Sequence, residues 1–310
     1  MASRCDSYGE TVDIPHADIE VDAELAARLV AAQFPELSGE VSPLAQGWDN
    51  ALFRLGPRLA IRMPRREIAA KLIEHEQRCL PLLQWLVELP LPVPVAEGRP
   101  GPDFPWAWSV IPWVAGEPGA HLAPAARDRY AVQLAEFLAA LHVPASAEAP
   151  VNPVRGVPLA SRTSAVVARL AGLCGRMPGD ELDALTAVWD AGAAAPVWAG
   201  APLWLHGDPH PGNVVVAPDG RLATVVDFGD VTAGDPATDL AAAWLHFTPA
   251  GRAAFTARYA ELHPTSPALW VRARAWAVSM ASAAFAASDG SGPMAQMGRD
   301  GLEQVLTGGN

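Results

Sequence analysis

The feature that most restricts how this chain can fold is the alternation of short apolar runs with polar loops between residues 203 and 230. The apolar runs, too short for helices and typical of strands, are Leu203–Leu205, Val214–Val216 and Leu222–Val226. A polar loop, His206–Asn213, follows the first run, and Asp227–Asp230 follows the third. The turn Pro218-Asp219-Gly220 separates the last two runs, which predicts a hairpin that returns Asp227 to the side of Asn213.

The residue types in these two loops are those that phosphoryl transfer requires. Such a reaction needs a carboxylate that orients the acceptor hydroxyl, and oxygen ligands that hold magnesium on the phosphates. The pattern H-x-D-x-x-x-x-N followed by D-F-G supplies them, with Asp208 as the base and Asn213 and Asp227 as metal ligands. The alternative is a solvated turn with incidental carboxylates, and the order and spacing of the two motifs weigh against it.

Composition excludes several other classes of protein. The net charge of −12 argues against a nucleic-acid partner, because phosphate contacts need clustered cations. The three cysteines lie far apart and form neither a disulfide framework nor a zinc motif. The longest uncharged stretches, Ala191–Leu205 and Ala275–Ser288, are too short to cross a bilayer, and Met1–Glu10 has no apolar segment typical of a signal peptide. We therefore expect a cytoplasmic protein with no membrane partner.

The first third of the chain is rich in strand patterns and the remainder is mainly helical, which predicts an α+β fold with two lobes. Residues 1–110 are assigned to the N-terminal lobe, 111–118 to a hinge and 119–310 to a helical C-terminal lobe. Helices are predicted over Asp22–Phe34, Arg66–Leu80, Pro124–Leu141, Thr163–Cys174, Asp180–Ala191, Ala237–Phe247 and Ala268–Ala287. Asp22 is the expected N-cap of the first, Pro81 is expected to end or kink the second, and the tail Ser288–Asn310 is expected to be partly mobile.

Taken together, the motifs resemble the aminoglycoside phosphotransferase family, small-molecule kinases related in fold to protein kinases, which includes macrolide phosphotransferases. The resemblance rests on LHGDPHPGNVVV, VVDFGD and GDPATDLAAAW, and upstream on GWDNALFRLG, AIRMPRR, EHEQRCLPLL and LPLPVP. It runs from about residue 40 to residue 247. It implies a bilobal protein-kinase-like fold, Mg²⁺ with ATP or GTP as phosphate donor, and a small molecule with a hydroxyl group as acceptor.

The N-terminal lobe contains the candidate nucleotide-binding residues. Ala51–Leu55 and Leu59–Met63 flank the turn Gly56-Pro57-Arg58 and predict a hairpin. Strand alternation places Ala60 and Arg62 on one face, where a small residue suits adenine and a cation suits phosphate. Leu59-Ala60-Ile61-Arg62 resembles the kinase V-A-I-K strand, with an arginine that can still fork onto two phosphate oxygens.

Glu76 is the candidate partner of Arg62, with Glu74 as the second choice and a plain surface ion pair as the alternative. The backbone of Gly47-Trp48-Asp49-Asn50 is expected to cover the phosphates, which makes Asp49 and Asn50 candidates, although one glycine is a weak signal for such a loop. Ile111 and Trp113, in the expected hinge, are candidates for reading the edge of the base through their backbone groups.

Supporting residues follow from the same loops. His206 is expected to hold its loop by hydrogen bonds, and His210 and Asp230 are candidates for contact with the acceptor. Asp239 resembles a buried helix aspartate of the family that braces the catalytic loop; the other possibility is a carboxylate that suits the helix dipole. Asp235 is expected to cap the same helix.

Two patterns bear on the acceptor, and they point in different directions. Asp180 and Glu181 begin an acidic helix that could bind ammonium groups of an aminoglycoside, although a solvated helix face is the simpler interpretation. Alternatively, apolar residues of the C-terminal third could line a macrolide pocket or belong to the core: Trp244, Trp270, Trp276, Met280, Phe285, Met294 and Met297. The sequence leaves three functions open: an antibiotic-modifying phosphotransferase, a metabolic kinase for choline, a sugar or an amino alcohol, and a nucleotide-binding protein without turnover.

Overall fold

The computed structural model describes residues 16–37, 39–287 and 291–307. Its N-terminal part is built on an antiparallel sheet with the strand order β1-β2-β3-β5-β4. The strands are β1 Val41–Gln46, β2 Asn50–Leu55, β3 Leu59–Pro64, β4 Ala96–Gly98 and β5 Trp108–Pro112. The predicted β2–β3 hairpin is confirmed, and its turn contains Gly56 at φ +57°. The sequence did not predict β1 or β4.

One face of this sheet is covered by helix α1, Ala23–Gln33. The predicted cap is confirmed: the Asp22 carboxylate accepts a hydrogen bond of 2.7 Å from the backbone N–H of Leu25. Leu25 and Leu29 pack in one cluster with Ile61 and Met63 of β3. Because neighbouring residues of a strand point to opposite faces, Ala60 and Arg62 face the other side, toward the C-terminal part of the chain.

Helix α2, Glu67–Leu83, connects the two parts of the protein. Of the two outcomes expected at Pro81, an end of the helix is wrong, because the helix continues to Leu83. Proline removes only the hydrogen bond from its own nitrogen, and beyond it the Gln84 N–H still donates to the Leu80 carbonyl at 3.0 Å. The buried face of α2 includes Ile73 and Glu76, and Leu72 lies against Gly229 in the loop after the third apolar run.

The rest of the chain is mainly helical, and its helices are α3 Pro124–Arg127, α4 Ala131–Leu141, α5 Thr163–Gly172, α6 Gly179–Ala194, α7 Ala237–Leu240, α8 Ala242–His246, α9 Pro249–Leu262, α10 Pro267–Ala286 and α11 Gly292–Thr307. It also contains two small antiparallel sheets with the orders β10-β7 and β6-β8-β9. Their strands are β6 Glu117–Pro118, β7 Leu203–Leu205, β8 Val214–Val216, β9 Leu222–Val225 and β10 Thr232–Gly234. The predicted α+β class is confirmed, with a strand-rich N-terminal part and a larger helical part.

Several helical predictions need correction. The helix expected over Pro124–Leu141 is interrupted by the 3-10 turn Asp128–Tyr130, and that over Ala237–Phe247 is divided into α7 and α8. The sequence did not predict α9. The tail that was expected to be mobile contains α11, while its residues 288–290 and 308–310 lie outside the described residues.

The aromatic and methionine residues considered for a macrolide pocket are mostly core residues. Trp244, Trp276, Met280 and Phe285 belong to the main hydrophobic cluster, and Met297 is also buried. No helix within the described residues is both long enough and apolar enough to span a membrane.

Candidate active site

The β8–β9 hairpin brings the two polar loops together. Val214 pairs with Val225, and the backbone N–H of Val226 donates to the Asn213 carbonyl at 2.9 Å. Asn213 and Asp227 therefore extend from adjacent strand ends, as the spacing of the motifs predicted.

Asp239, which is completely buried, anchors the loop that carries Asp208. Its two carboxylate oxygens accept hydrogen bonds from the backbone N–H groups of His206, at 2.7 Å, and Gly207, at 2.9 Å. His142 Nε2 lies 3.2 Å from the Asp239 carboxylate, and its Nδ1 contacts the Tyr259 hydroxyl. Asp239 is also in the first turn of α7, so the position combines both possibilities considered from the sequence.

His206 joins the two loops to each other. Its Nε2 lies 3.0 Å from the Val226 carbonyl, and its Nδ1 accepts a hydrogen bond of 3.2 Å from the backbone N–H of Asp208. This assigns the ring proton to Nε2. Gly207 has φ +91°, and a Cβ there would lie 2.2 Å from the Asp230 carbonyl oxygen, so the close approach of the loops requires glycine.

A third buried histidine, His246, which the sequence did not indicate, holds Pro209. His246 Nε2 lies 2.8 Å from the Pro209 carbonyl, and its Nδ1 lies 3.0 Å from the Tyr130 hydroxyl. Burial holds the pKa of His246 well below its ordinary value, so the ring is neutral. A neutral ring that donates through Nε2 must accept through Nδ1, which assigns the hydroxyl of Tyr130 as the donor.

Asp208 itself is partly exposed and faces two basic side chains. Arg155 Nη2 donates to its Oδ1 at 3.0 Å, and His210 Nε2 lies 3.7 Å from its Oδ2, too far for a hydrogen bond. The Asp208 backbone carbonyl accepts a 3.0 Å hydrogen bond from Asn213 Nδ2. One carboxylate oxygen, Oδ2, is therefore available to a hydroxyl group.

Asp227 adopts a left-handed conformation with φ +62° and begins the 3-10 turn Phe228–Asp230. Its Oδ1 accepts a hydrogen bond of 2.7 Å from Arg62 Nη2. Burial raises the pKa of Asp227, but the Arg62 guanidinium outweighs this effect and the net pKa lies below its ordinary value. Asp227 is therefore ionised and able to bind a cation.

Arg62 is shared between two carboxylates. Besides Asp227, its Nε lies 3.0 Å from Glu76 Oε2, whereas Glu74 is exposed. Burial raises the pKa of Glu76 to about 7, against the opposing effect of Arg62. Ala60, two residues before Arg62 on the same strand face, is buried and lies opposite Ile111 of β5. Ala60 and Arg62 therefore lie on the side of the sheet that faces Asp227.

The turn between β1 and β2 carries Asp49 and Asn50, whose expected contact with the phosphates stays a prediction. The Asp49 carboxylate pairs with Arg66 at 3.0 Å, and burial raises its pKa. The turn is closed by a hydrogen bond of 2.8 Å from the Gly47 N–H to the Asn50 carbonyl. Asn50 is buried at the start of β2, and its Oδ1 has no hydrogen-bond partner among the described residues.

One backbone donor of the expected hinge is already paired within the sheet, and the reading of a base by this segment stays a prediction. The Trp113 N–H donates to the Arg58 carbonyl at 2.8 Å, and Arg54 stacks on the Trp113 ring at 4.6 Å. This N–H is therefore unavailable to a base. The neighbouring residue Pro112 has no N–H to offer.

Asp180 and Glu181 begin α6, and neither forms a hydrogen bond or an ion pair with the two polar loops within the described residues. Their contact with an aminoglycoside stays a prediction. Asp230, by contrast, lies at the site: its carboxylate accepts from Asn152 at 2.7 Å and lies 4.0 Å from Arg155.

Comparison with known proteins agrees with this geometry. The profile of the phosphotransferase enzyme family APH matches residues 40–276, more than half of the chain. The chain belongs to this phosphotransferase family. Its predicted enzyme class and its resemblance to the aminoglycoside phosphotransferases are thereby confirmed. No curated protein sequence matches it.

Solved structures similar to this phosphotransferase confirm the kinase-like fold. The GDP complex of aminoglycoside 2'-phosphotransferase-IIIa is 22% identical with a TM-score of 0.67, and the match covers 92% of this chain and 98% of the other. The streptomycin–ATP complex of APH(2")-IIa is 17% identical with a TM-score of 0.56, covering 84% and 90%. The apoenzyme of macrolide 2'-phosphotransferase MphH from Brachybacterium faecium is 22% identical with a TM-score of 0.59, covering 85% and 91%.

The residues of this phosphotransferase fit a magnesium ion held jointly with a nucleotide. Asp227 is an ionised carboxylate and Asn213 an amide at adjacent strand ends, and both are hard oxygen donors. Within the described ranges no group of three or more His, Cys, Asp or Glu side chains could hold a metal by itself. Mg²⁺ commonly binds one or two protein ligands and completes its shell with phosphates and water, so this incomplete set is the expected one.

Sequence reasoning missed Arg155, Asn152, His246 and Tyr130. None belongs to a spaced motif, and Arg155 lies 53 residues from the aspartate that it contacts. The only hint for Asp235 was its capping position, and its carboxylate does accept from the Ala237 N–H at 3.0 Å. It also forms a buried ion pair with Arg272, at 2.6 Å, that the sequence did not indicate.

Proposed function

We propose that this phosphotransferase moves the γ-phosphate of ATP or GTP, with Mg²⁺, to a hydroxyl group of a small molecule, most directly an aminoglycoside or macrolide antibiotic. The observation that carries the proposal is the contact between Arg62 of the sheet and Asp227 of the loop. It supports a cleft in which Arg62 would bind phosphate and Asp227 would bind the metal, with the loop of Asp208 beside them.

In this proposal the nucleotide phosphates lie between Arg62 and the two loops. Arg62 can fork onto two phosphate oxygens, and Glu76 holds its stem from the other side. Asp227 and Asn213 would hold the metal, which when bound neutralises the developing charge on the phosphates. With the metal bound, the Asp227 carboxylate no longer repels the phosphates of the nucleotide.

Asp208 acts on the acceptor. The acceptor oxygen forms a bond to the γ-phosphorus, the bond from that phosphorus to the β,γ-bridging oxygen breaks, and the nucleoside diphosphate leaves. The hydroxyl proton passes to Asp208, whose Oδ2 has no hydrogen bond within the described part of the chain. His206, Asp239 and His246 keep the loop fixed while this occurs.

The choice of acceptor rests on the similar structures, whose bound ligands include kanamycin and streptomycin and whose names include macrolide phosphotransferases. Neither sequence hint contributes, because Asp180 and Glu181 form no hydrogen bond or ion pair with the two polar loops within the described residues, and the aromatic residues are mostly buried in the core. A metabolic kinase for choline, a sugar or an amino alcohol is therefore the second candidate, since it would use the same machinery.

The test is Mg²⁺-dependent consumption of ATP and of GTP in the presence of an aminoglycoside panel, a macrolide panel and a panel of metabolic alcohols. Consumption that depends on an antibiotic and is lost in Asp208→Asn supports the first candidate. Consumption only with a metabolic alcohol supports the second. Saturable nucleotide binding without consumption in any panel would favour a protein without turnover.

A further inference from the structure

A partly buried arginine outside every recognised motif, Arg155, contacts the proposed base. Arg155 Nη2 lies 3.0 Å from Asp208 Oδ1 and 4.0 Å from Asp230 Oδ2, so one guanidinium bridges the carboxylates of both polar loops. The two carboxylates raise the pKa of Arg155, although burial opposes them. Arg155 is therefore charged at neutral pH.

The loop that carries Arg155 is built to present this side chain. Asn152 Oδ1 accepts hydrogen bonds from the backbone N–H groups of Val154, at 2.9 Å, and Arg155, at 3.1 Å, which closes a tight turn. The side-chain amide of Asn152 also donates to Asp230, at 2.7 Å. The turn is thus attached to the same carboxylate that Arg155 approaches.

The other end of the turn is fixed to the helix that carries Asp239. The Gly156 N–H donates to Thr238 Oγ1 at 3.1 Å, and Gly156 adopts φ +67°. A Cβ on Gly234 would lie 2.2 Å from the Gly156 carbonyl oxygen, so the two glycines allow the loop to lie directly on β10. The backbone of Arg155 is therefore held by contacts other than the one between its side chain and Asp208.

We propose that Arg155 is the positioning residue of the catalytic base, holding Asp208 Oδ1 so that Oδ2 is directed at the acceptor hydroxyl. This inference rests on the proposed function. Phosphoryl transfer depends almost entirely on positioning and on electrostatic compensation, and Arg155 supplies both. It fixes one carboxylate oxygen, and its charge reduces the repulsion between Asp208 and the incoming γ-phosphate.

A cavity of about 350 Å³ beside the two polar loops is lined in part by Arg155. Its lining includes Pro150, Asn152, Arg155, Val157 and Thr232. Because this volume exceeds that of a guanidinium ion, a variant that lacks the arginine side chain can be supplied with free guanidinium.

The first experiment needs no turnover. Unfolding free energies are measured for Arg155→Gln, Asp208→Asn and the double variant. A double variant that is less destabilised than the sum of the single variants is expected, because each single change breaks the same contact. Strictly additive losses would show that Arg155 does not hold Asp208 and would overturn the inference.

The second experiment is kinetic and separates positioning from folding. Arg155→Gln is expected to lower kcat by about 100-fold while KM for the nucleotide changes by less than about twofold, since only the base is misplaced. Arg155→Lys, which keeps the charge, is expected to recover about tenfold of this loss. Guanidinium chloride is expected to increase the kcat of Arg155→Ala, and an unchanged kcat would contradict the proposal.

Two further variants complete the test. Arg162→Gln is the matched control, because Arg162 is close enough for its pKa to be lowered by Arg155 but forms no ion pair with Asp208 among the described contacts. An equal loss of kcat in Arg162→Gln would overturn the inference.

If Arg155→Gln folds poorly because Asp208 and Asp230 repel each other, Arg155→Gln with Asp230→Asn removes the repulsion and is expected to keep the loss of kcat. A wild-type protein without turnover would refute the proposed function instead, and the unfolding comparison would still decide whether Arg155 holds Asp208.

Discussion

Arg62 and Asp227, 165 residues apart in the sequence, form an ion pair of 2.7 Å that joins the N-terminal sheet to the loop after β9. Asp227 is the residue expected to bind magnesium, and Arg62 the residue expected to bind phosphate. Binding of a magnesium nucleotide would exchange this ion pair for two contacts, with Mg²⁺ taking the place of Arg62 at Asp227 and a phosphate taking the place of Asp227 at Arg62.

Replacing Asp227 by Asn should weaken the binding of the magnesium nucleotide by at least about tenfold, because a neutral amide is a poorer ligand for Mg²⁺. Isothermal titration with Mg-ATP and Mg-GTP measures this. Asp219→Asn, the same charge change at an exposed position in the turn before β9, is the control and should leave the affinity unchanged. Equal affinities of Asp227→Asn and the wild type would remove Asp227 as a metal ligand.

His246 should make the stability of the fold sensitive to acid. Its pKa in the folded protein is lowered by burial, whereas in the unfolded chain it is near 6.5. The unfolded state therefore binds more protons, and stability that is present above pH 6.5 is lost as the pH falls. His246→Gln should show a smaller decrease in unfolding free energy between pH 7.5 and pH 5, two values chosen to bracket the ordinary pKa.

Urea unfolding at the two pH values measures this difference. The exposed His16, changed to Gln, is the control and should leave the wild-type slope unaltered. An identical slope in His246→Gln and the wild type would mean that His246 is not held neutral by burial.

The buried pair Arg272–Asp235 should be the most costly ion pair to break. Arg272 donates to both oxygens of Asp235, at 2.6 Å and 3.1 Å, and both residues are buried. Arg272→Met leaves the carboxylate buried without a partner and should reduce the unfolding free energy by about 3–5 kcal/mol. Adding Asp235→Asn should restore part of this loss.

Arg258→Met serves as the comparison for that prediction. Arg258 pairs with Glu136 and Glu261 at the surface, and its removal should cause a much smaller change. Equal losses in Arg258→Met and Arg272→Met, measured by chemical unfolding, would contradict the importance assigned to the buried pair.

Local sequence patterns were sufficient to predict those structural features that depend on residues close together in the chain. The cap at Asp22, the β2–β3 hairpin and the strand ends that present Asn213 and Asp227 all follow from residues within a few positions of each other. The same holds for the opposite faces of Ala60 and Ile61, since alternation along a strand is fixed by its backbone. Such features need no knowledge of the tertiary structure.

Tertiary packing determines the features that the sequence did not predict. Helix α11 contains three glycines, which suggested mobility, but Gly298 allows close packing on α10, where a Cβ would lie 2.5 Å from the Phe285 nitrogen. Strand β1 is exposed along much of its length and β4 has three residues, so neither has a clear pattern. Arg155 could not be found at all, because its partner is brought to it only by the fold.

The most direct test of the proposed function follows the γ-phosphate itself. Wild-type protein and Asp208→Asn are incubated with Mg²⁺ and γ-labelled ATP or GTP in the presence of each acceptor, and the label on the acceptor is measured. Wild-type protein should transfer the label to a hydroxyl group, and Asp208→Asn should do so about 100- to 10,000-fold more slowly while binding the nucleotide normally. Equal transfer by both proteins would contradict the role of Asp208 and, with it, the proposed catalytic centre.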